Sequence, residues 1–305
     1  MEPEPIYKRN VPIQDNEQAV FPYGKYGFPC ELYNDNIDDF QNSTIDAHWQ
    51  LELEFSVIEK GALELQIQDH VIHVTENQGY VIFPHTIHKV QKCGISNGIY
   101  KTIIAAPRFL YGDSASVLFY KYYLPVLAAI PQGFILLEKN GNTQEHILDG
   151  ICEVVRLLEN RPAKYELDIY RTFIEIWSQI YDLVQNLRPN RTFSSKDEDV
   201  IQQMLLFIHA NYTDDISLTD ISYSGNISKS ECYRIFQRTM SCTPIDYLVN
   251  YRLSKSQELL ADDSLTITEV AIRSGFNSVN YYTTVFKKHI GYTPSQFKKL
   301  LKENF

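Results

Sequence analysis

The sequence predicts a multidomain α+β protein with a β-barrel in its N-terminal half, helices in the middle and an all-α C-terminal domain. Short alternating patterns of polar and apolar residues come first, two long apolar helical patterns follow, and a helical pattern occurs twice near the C-terminus. At 305 residues the chain is long enough for two or three domains with separate cores.

Several short strands are predicted in the first third of the chain. Residues 48–55 alternate, with polar side chains at even positions and apolar ones at odd positions, which is the period of a β-strand. Further strands are predicted at residues 62–68, 71–75, 80–83 and 98–105, because turn-forming residues separate these β-branched and aromatic runs. Short, evenly spaced strands are typical of a sandwich or a small barrel.

The polar side chains of the first predicted strand are candidate ligand-binding groups. His48, Gln50 and Glu54, followed by Gly79, Pro84 and His88, resemble the double motif of cupin barrels. The resemblance implies a cupin-like barrel with these side chains inside it. We predict that the barrel binds a small-molecule effector, a sugar or another polar metabolite, through five hydrogen-bonding side chains: His48, Gln50, Glu52, Glu54 and His88.

Two other interpretations of these residues stay open. Two histidines and one glutamate can hold a divalent metal, as in a metal-dependent cupin enzyme. Alternatively, the polar side of the strand faces solvent, as is common in antiparallel sheets, and the barrel is only a scaffold. In metal-binding cupins a second histidine stands where this chain has Gln50, so we expect no metal, no other cofactor and no catalytic residues.

Two helices are predicted in the middle of the chain, at residues 146–159 and 164–187, with Pro162 between them. The second has apolar residues on more than one side, so it needs partners on more than one side. The helices could pack on the barrel alone, or they could also pair two subunits. The polar residues 187–197, which include Pro and Ser, are typical of an interdomain linker.

The C-terminal part contains an internal repeat. Residues 228–244 align with residues 278–294: Ser228 matches Ser278, Phe236 matches Phe286, and a Thr-Pro pair ends each copy. A spacing of about fifty residues predicts a duplicated helical module. In each copy a short helix, a turn with a glycine and a second helix follow one another, which is a helix-turn-helix arrangement.

The second helix of each copy has an apolar and a polar face. In copy one, Ser228 is a good N-cap with Glu231 three residues later, and Cys232, Ile235 and Phe236 share the apolar face. The polar face carries Ser230, Tyr233, Arg234 and Gln237, and copy two repeats the split with Asn280, Thr283, Thr284 and Lys287. Such a helix fits the major groove of DNA.

Residues 216–299 resemble the DNA-binding domain of AraC/XylS-type bacterial transcription regulators. The resemblance is carried by the runs ITEVA from Ile267, SGF from Ser274, GYTP from Gly291 and, in the connecting helix, YRL from Tyr251. It implies two helix-turn-helix units on a linker helix, reading successive major grooves about 34 Å apart. It also implies an effector-binding barrel at residues 1–140, dimerisation helices at 141–188, a linker at 189–198 and the DNA-binding domain at 199–305. The expected partners are double-stranded promoter DNA, a second copy of the chain and RNA polymerase.

The DNA-binding residues are carried over by position from the same resemblance. Bases would be contacted by Ser230, Tyr233 and Arg234 in copy one and by Val279, Asn280, Thr283 and Thr284 in copy two. Lys229, Arg238, Lys287 and Lys288 would contact phosphates, which position the protein without reading sequence, and Gln237 completes the set. Family members often carry arginine where Thr284 stands, so Arg234 is the strongest candidate for guanine readout and Asn280 for adenine.

Composition limits the possible locations and partners. The net charge is −10, but the residues from Ser217 onward hold more Lys and Arg than Asp and Glu, so the acidity lies in the N-terminal part. The cysteines number five and are widely spaced, which predicts free thiols in a reducing compartment. No apolar run approaches the ~20 residues of a membrane span, and the first residues show no signal-peptide pattern. We therefore expect a cytoplasmic protein with no membrane partner.

Overall fold

The computed structural model describes residues 28–67, 70–95, 97–112, 116–130, 132–139, 143–186, 195–240, 242–290 and 292–303, together with residues 13 and 19. These residues form two compact units, and the chain passes from the first to the second between residues 186 and 195. The helices of the predicted segment 141–188 belong to the first unit, with the strands.

The first unit is built on two antiparallel sheets. Its strands in the described residues are β1 (Cys30–Asn36), β2 (Thr44–His48), β3 (Leu53–Lys60), β4 (Ala62–Ile67), β5 (His70–Thr75), β6 (Gly79–Ile82), β7 (His88–Lys92), β8 (Ile99–Ala105) and β9 (Phe134–Leu137). The five-stranded sheet has the order β1-β8-β3-β6-β9, and the four-stranded sheet has the order β2-β7-β4-β5. Two facing sheets of short strands confirm the predicted cupin-like β-rich domain.

The prediction of one continuous strand at residues 48–55 is wrong. His48 ends β2 in the four-stranded sheet, Leu53 begins β3 in the five-stranded sheet, and the residues between them turn the corner. The alternation of polar and apolar residues does not distinguish one continuous strand from two strands joined at a corner. A chain that crosses between two facing sheets can keep the same side chains pointing inward. The strands predicted at 62–68, 71–75, 80–83 and 98–105 correspond to β4, β5, β6 and β8.

Apolar side chains from both sheets form the core of the first unit. On β4, Leu63, Leu65 and Ile67 are completely buried and alternate with more exposed polar residues. They pack in one cluster with Tyr80 of β6 and Tyr100 of β8, so residues of both sheets meet in the interior. Burying each leucine or isoleucine side chain contributes about 1.5–3 kcal/mol.

Helices cover the five-stranded sheet. They are α1 (Arg108–Tyr111), α2 (Leu124–Ala129), α3 (Thr143–Asn160) and α4 (Tyr165–Asn186), and the last two confirm the helices predicted in the middle of the chain. The α3 helix packs on β1, β3 and β9, while α4 packs on α3 and on the short helices. Ile176 of α4 lies so close to Gly150 that a Cβ there would approach it to 2.7 Å. On the opposite side of α4, Leu167, Tyr170 and Ile174 are exposed.

The regular secondary structure in the described residues of the second unit is all helical. Its helices are α5 (Ser195–Asn211), α6 (Leu218–Ser224), α7 (Lys229–Met240), α8 (Pro244–Leu260), α9 (Ile267–Arg273), α10 (Val279–Ile290) and α11 (Pro294–Glu303). Because α5 begins at Ser195, the end of the predicted linker is helical, and residues 187–194 lie outside the described residues. The apolar faces predicted for both copies are confirmed, since Cys232, Ile235 and Phe236 are buried, as are Tyr282, Val285 and Phe286 of the second copy.

Short-range hydrogen bonds define where these helices begin. Reciprocal capping boxes join Ser217 to Asp220 at α6, Thr243 to Asp246 at α8, and Thr266 to Glu269 at α9. The Ser228 hydroxyl accepts a hydrogen bond from the backbone N–H of Glu231 at 3.2 Å, which confirms its role as N-cap of α7. None of the described helices in either unit is long and apolar enough to cross a membrane.

Candidate nucleic-acid interface and buried polar site

The two helix-turn-helix units differ at their turns. In the first, between α6 and α7, Gly225 has an ordinary φ of −89°. In the second, between α9 and α10, Gly275 has a φ of 86°, and a Cβ there would collide with the carbonyl oxygen of Tyr212. Only glycine meets both conditions without strain, so the angle between α9 and α10 depends on this residue.

Arg252 of α8 ties the same region together. Its Nε donates to the carbonyl oxygen of Tyr212 at 2.7 Å, and its Nη2 donates to the carbonyl oxygen of Asp214 at 2.7 Å. Burial lowers the pKa of the guanidinium from its ordinary value. The arginine thereby anchors the chain between α5 and α6 to the connecting helix, beside the Gly275 turn. Arg252 lies in the YRL run that resembles the family, but the sequence alone indicates no role for it.

The predicted DNA-facing residues of α7 lie on one exposed face. Ser230, Tyr233, Arg234 and Gln237 are exposed, and so are the predicted phosphate contacts Lys229 and Arg238. The helix therefore presents one solvent-facing polar surface, while its opposite side is held in the core.

Arg234 is paired within its own helix. Its Nε donates to Glu231 Oε2 at 2.9 Å and its Nη2 to Glu231 Oε1 at 2.6 Å, so the carboxylate occupies the guanidinium fork. The same hydrogen bonds lower the pKa of the Glu231 carboxyl. A guanine would have to compete with Glu231 for these donors, because one fork binds one planar acceptor pair at a time.

The corresponding face of α10 is less uniformly exposed to solvent. Asn280, Thr284, Lys287 and Lys288 are exposed, whereas Val279 and Thr283 are partly buried. Val279 packs against the core cluster of this unit, so only part of its side chain faces outward. The Thr284 hydroxyl donates to the carbonyl oxygen of Asn280 at 2.9 Å, which leaves its oxygen lone pairs and methyl group for other contacts.

Two exposed tyrosines accompany the predicted surface and were missed in the sequence. Tyr223, near the end of α6, has 83% of its surface exposed, and Tyr281, next to Asn280, has 53% exposed. An aromatic residue beside a helix-turn-helix turn is equally compatible with the core, so only the structure distinguishes these two from the buried Tyr282.

In the first unit, the five predicted effector-binding side chains are all buried. His48, Gln50, Glu54 and His88 have at most 1% of their surface exposed, and Glu52, at the corner between β2 and β3, has 7%. The interpretation of this polar series as the solvent side of a strand is therefore wrong.

Glu54 lies at the centre of a hydrogen-bonded cluster. Gln50 Nε2 donates to its Oε2 at 3.1 Å, and Ser56 Oγ donates to its Oε1 at 3.2 Å. Tyr80 OH is 3.4 Å from the same Oε1, and Ser56 also shares a hydrogen bond with Thr102 at 3.0 Å. Sequence analysis missed Ser56, Tyr80 and Thr102. Ser56 continues the even-numbered polar series and was detectable, whereas Thr102 is 46 residues away along the chain.

The two histidines of the cluster are held in matching orientations. His48 Nδ1 is 2.8 Å from the carbonyl oxygen of Asp46, and His88 Nδ1 is 2.9 Å from the carbonyl oxygen of Thr86. A carbonyl oxygen only accepts, so each Nδ1–H donates to its carbonyl. The ring centroids are 4.3 Å apart, and His88 Nε2 is 3.7 Å from Glu54 Oε2.

Two family models match the chain. An AraC-like ligand binding domain matches residues 37–149, and a helix-turn-helix domain matches residues 224–300. The first match covers β2 to β9 with the polar cluster, and the second covers α7 to α10 and most of α11.

Two relatives align with most of the chain. YdeC of Bacillus subtilis, an HTH-type transcriptional regulator, is 28% identical over 300 residues, which is 96% of this chain and 99% of YdeC. The melibiose operon regulatory protein of Escherichia coli K12 is 22% identical over 261 residues, 84% of each chain. The solved structure of ToxT from Vibrio cholerae superposes with a TM-score of 0.49 at 14% identity over 90% of this chain and 95% of ToxT. With a ligand-binding domain before a DNA-binding helix-turn-helix domain, the chain belongs to the AraC family of transcription regulators.

Proposed function

We propose that the protein is a cytoplasmic homodimer that binds promoter DNA and changes its DNA binding when a small polar molecule occupies the barrel. The observation that carries the proposal is the pairing, in one chain, of a fully buried polar cluster with two exposed recognition helices. Both features serve binding rather than bond-making, and we assign the protein no enzymatic activity.

The DNA contacts divide into two classes. Ser230, Tyr233 and Arg234 of α7, and Val279, Asn280, Thr283 and Thr284 of α10, read bases in successive major grooves. The remaining exposed groups, which are mainly basic, bind phosphates or complete the surface: Lys229, Gln237, Arg238, Lys287 and Lys288. The partial burial of Val279 supports a smaller share of base readout for α10 than for α7.

The effector is a sugar or another polar metabolite held by the buried cluster. His48, Gln50, Glu54 and His88 are buried and supply both donors and acceptors, and a sugar hydroxyl group uses both kinds of partner. Nearby, the Trp49 and His85 rings stack with centroids 5.5 Å apart, and the backbone N–H of His85 donates to the backbone carbonyl oxygen of Gln50 at 2.8 Å. One relative is the regulatory protein of the melibiose operon, and melibiose is a sugar, which supports this class of effector.

The dimer forms through α4. Its exposed Leu167, Tyr170 and Ile174 follow a spacing of three and four residues, which aligns them on one stripe of the helix. In a two-fold dimer the same stripe of each copy would pack against the other, and the dimer would place DNA-binding units on neighbouring half-sites. On a promoter, the bound dimer would contact RNA polymerase.

Footprinting tests the proposal. The protein is bound to the promoter region upstream of its own gene, with and without each member of a panel of sugars and polar metabolites. A change in the protected region or in affinity with one of them supports effector control. Identical footprints throughout would favour the alternative in which the barrel is a scaffold and regulation does not depend on a ligand.

Thermal unfolding provides an independent measurement on the same protein. A ligand at about 100 times its dissociation constant stabilises the binding domain by about 2.7 kcal/mol. A compound that stabilises the first unit but leaves the footprint unchanged binds without regulating, and would separate effector binding from control of DNA.

A further inference from the structure

We propose that a cleft between α3 and the five-stranded sheet binds a small zwitterion, with the ligand carboxylate on Lys139 and the ligand ammonium group on Glu59 and Glu159. This α3 cleft has a volume of about 370 Å³, which is within the range of small-molecule sites. It lies outside the barrel, so the inference goes beyond the proposed function and does not depend on it.

The sheet separates the α3 cleft from the buried polar cluster. Successive side chains of a strand point to opposite faces. On β3, Ser56 belongs to the polar cluster and Ile58 to the apolar core of the first unit. Val57 and Glu59 line the α3 cleft, and so does Lys101 of β8, which pairs in register with Val57. The cleft and the predicted effector site are therefore on opposite faces of one sheet.

The strand order places Lys139 and Lys101 at opposite ends of the cleft. Lys101 is on β8 and Lys139 follows shortly after β9, with β3 and β6 between these two strands. The α3 helix crosses them. Leu148, in its first half, lies over Gly79 of β6, where a Cβ would approach Leu148 Cδ1 to 2.8 Å. Glu159, near its end, lies over β8, with Oε1 2.7 Å from Lys101 Nζ.

The end at β8 has an excess of negative charge. Lys101 Nζ is 2.7 Å from Glu59 Oε1 and 2.7 Å from Glu159 Oε1. Burial acts to lower the pKa of Lys101, but its hydrogen bonds to Glu159 and Glu59 raise it, so the ammonium group stays charged. Two carboxylates thus share one ammonium group, and 43% of the Glu59 side chain and 37% of the Glu159 side chain are exposed. A second ammonium group can therefore reach both carboxylates.

The other end carries a positive charge without a counter-ion. Lys139 is exposed, lines the cleft and forms no ion pair with any residue that the structure describes. The neighbouring carboxylate of Glu138 accepts a hydrogen bond from Gln78 Nε2 at 3.2 Å instead. Burial raises the pKa of the Cys152 thiol on α3, while the charge of Lys139 acts to lower it, because the two groups are close to each other. Lys139 is thus available to an anionic group inside the cleft.

The floor between the two ends is apolar. It includes the buried side chains of Val57, Leu148 and Val155. Arg156, on the α3 wall, already makes two hydrogen bonds with Glu153, at 2.7 and 2.6 Å, so its charge is compensated. A ligand that matches this sequence of groups has an ammonium group, an apolar segment and a carboxylate in that order.

This order of groups indicates the chemical class of the ligand. An α-amino acid carries both charges on one carbon, so it cannot span the apolar floor. An ω-amino acid or a short apolar peptide separates the charges and can contact both ends at once. A ligand with a single charge satisfies one end only and forgoes the charge-assisted hydrogen bonds at the other.

Calorimetric titration of the full-length protein with three compounds of equal chain length tests the proposal. ε-Aminocaproate carries both charges, caproate carries only the carboxylate, and hexylamine carries only the ammonium group. We expect ε-aminocaproate to bind about fivefold more tightly than either of the others, which is the effect of one exposed ion pair.

Two variants each remove one of these preferences. Lys139→Met should give ε-aminocaproate the same affinity as hexylamine, and Glu159→Gln should give it the same affinity as caproate. A misfolded protein would lose affinity for all three compounds together. Lys89→Met is the matched control, because it removes a lysine from β7 in the other sheet and should leave all three affinities unchanged.

Alkylation of Cys152 reports where the compound binds. The Cys152 thiol is exposed and lines the cleft, whereas Cys93 is partly exposed in the loop between β7 and β8. At about ten times its dissociation constant, ε-aminocaproate should slow the reaction of Cys152 with iodoacetamide about tenfold, because only free protein reacts. The reaction of Cys93, followed by mass spectrometry of the same peptide digest, should not change.

The outcomes separate this proposal from the proposed function. Equal affinities for the three compounds, or binding that leaves the alkylation of Cys152 unchanged, would overturn the α3 cleft as a zwitterion site. Binding inside the barrel gives the second of these results. Protection of Cys152 with the expected pattern in the Lys139 and Glu159 variants supports the site, even if no compound alters the footprint on DNA.

Discussion

The turn glycine of the second helix-turn-helix provides a quantitative test of how α10 is held. Gly275 has a φ of 86°, and a Cβ there would collide with the Tyr212 carbonyl oxygen and approach Arg252 Nε to 2.8 Å. The left-handed conformation costs a non-glycine residue about 1–2 kcal/mol, and an extra carbon in packed space costs about 1–3 kcal/mol. We expect Gly275→Ala to lower the unfolding free energy of the second unit by about 2–5 kcal/mol, a large part of the about 5–15 kcal/mol typical of a domain.

The matched control is the equivalent turn of the first copy. Gly225 has a φ of −89°, and a Cβ there would meet Met204 Cγ at 2.9 Å and Val200 Cγ1 at 3.2 Å. Met204 is buried, so the added carbon costs about 1–3 kcal/mol of overpacking here as well, but alanine has no backbone penalty at this φ. Gly225→Ala should therefore destabilise the second unit less than Gly275→Ala, by about the 1–2 kcal/mol of the left-handed conformation.

Urea unfolding of the full-length chain distinguishes the two variants. The only tryptophans, Trp49 and Trp177, lie in the first unit, so tryptophan fluorescence follows that unit alone while far-ultraviolet circular dichroism also follows the helical second unit. Gly275→Ala should move the circular dichroism transition to lower urea, leave the fluorescence transition in place and weaken DNA binding. Equal circular dichroism midpoints for the two glycine variants would refute the argument from backbone conformation.

Three further predictions concern readout, pH and assembly. Arg234→Ala should cost about 1–3 kcal/mol of discrimination at one base position. Lys288→Ala should instead lower the affinity for all DNA sequences alike and reduce the slope of log affinity against log salt concentration by about 1. Identical behaviour of both variants in a library of randomised sites would contradict the division into base and phosphate contacts. Burial lowers the pKa of His289, so the unfolded chain gains a proton that the folded one does not, and the second unit should lose stability as the pH falls below 6.5. His289→Gln should reduce the dependence of the unfolding free energy on pH, measured by urea titration. An unchanged dependence would show that His289 is not its cause. Ile174→Asp should convert the dimer to a folded monomer in sedimentation, and an unaltered mass would exclude α4 as the interface.

Local features of the second unit were readable from the sequence because they depend on neighbouring residues. The N-cap at Ser228 and the buried spacing of Cys232, Ile235 and Phe236 are set within one or two helical turns, and the structure confirms them. The repeat made these patterns specific, since two copies carried the same apolar positions. The pairing of Arg234 with Glu231 is also local, but its competition with a base is a property of side-chain geometry that residue types do not specify.

The polar series in the first unit was visible in the sequence, but its burial and partners were not. Alternation identified His48, Gln50, Glu52 and Glu54 as one face, yet it could not reveal that β2 and β3 belong to different sheets. That crossing depends on strand pairing between residues far apart, such as His48 with His88 in β2 and β7. The order of residues along the chain determined that polar groups were available on one side. The long-range packing of two sheets decided that they converge on Glu54, because only tertiary contacts remove such groups from water and bring them together.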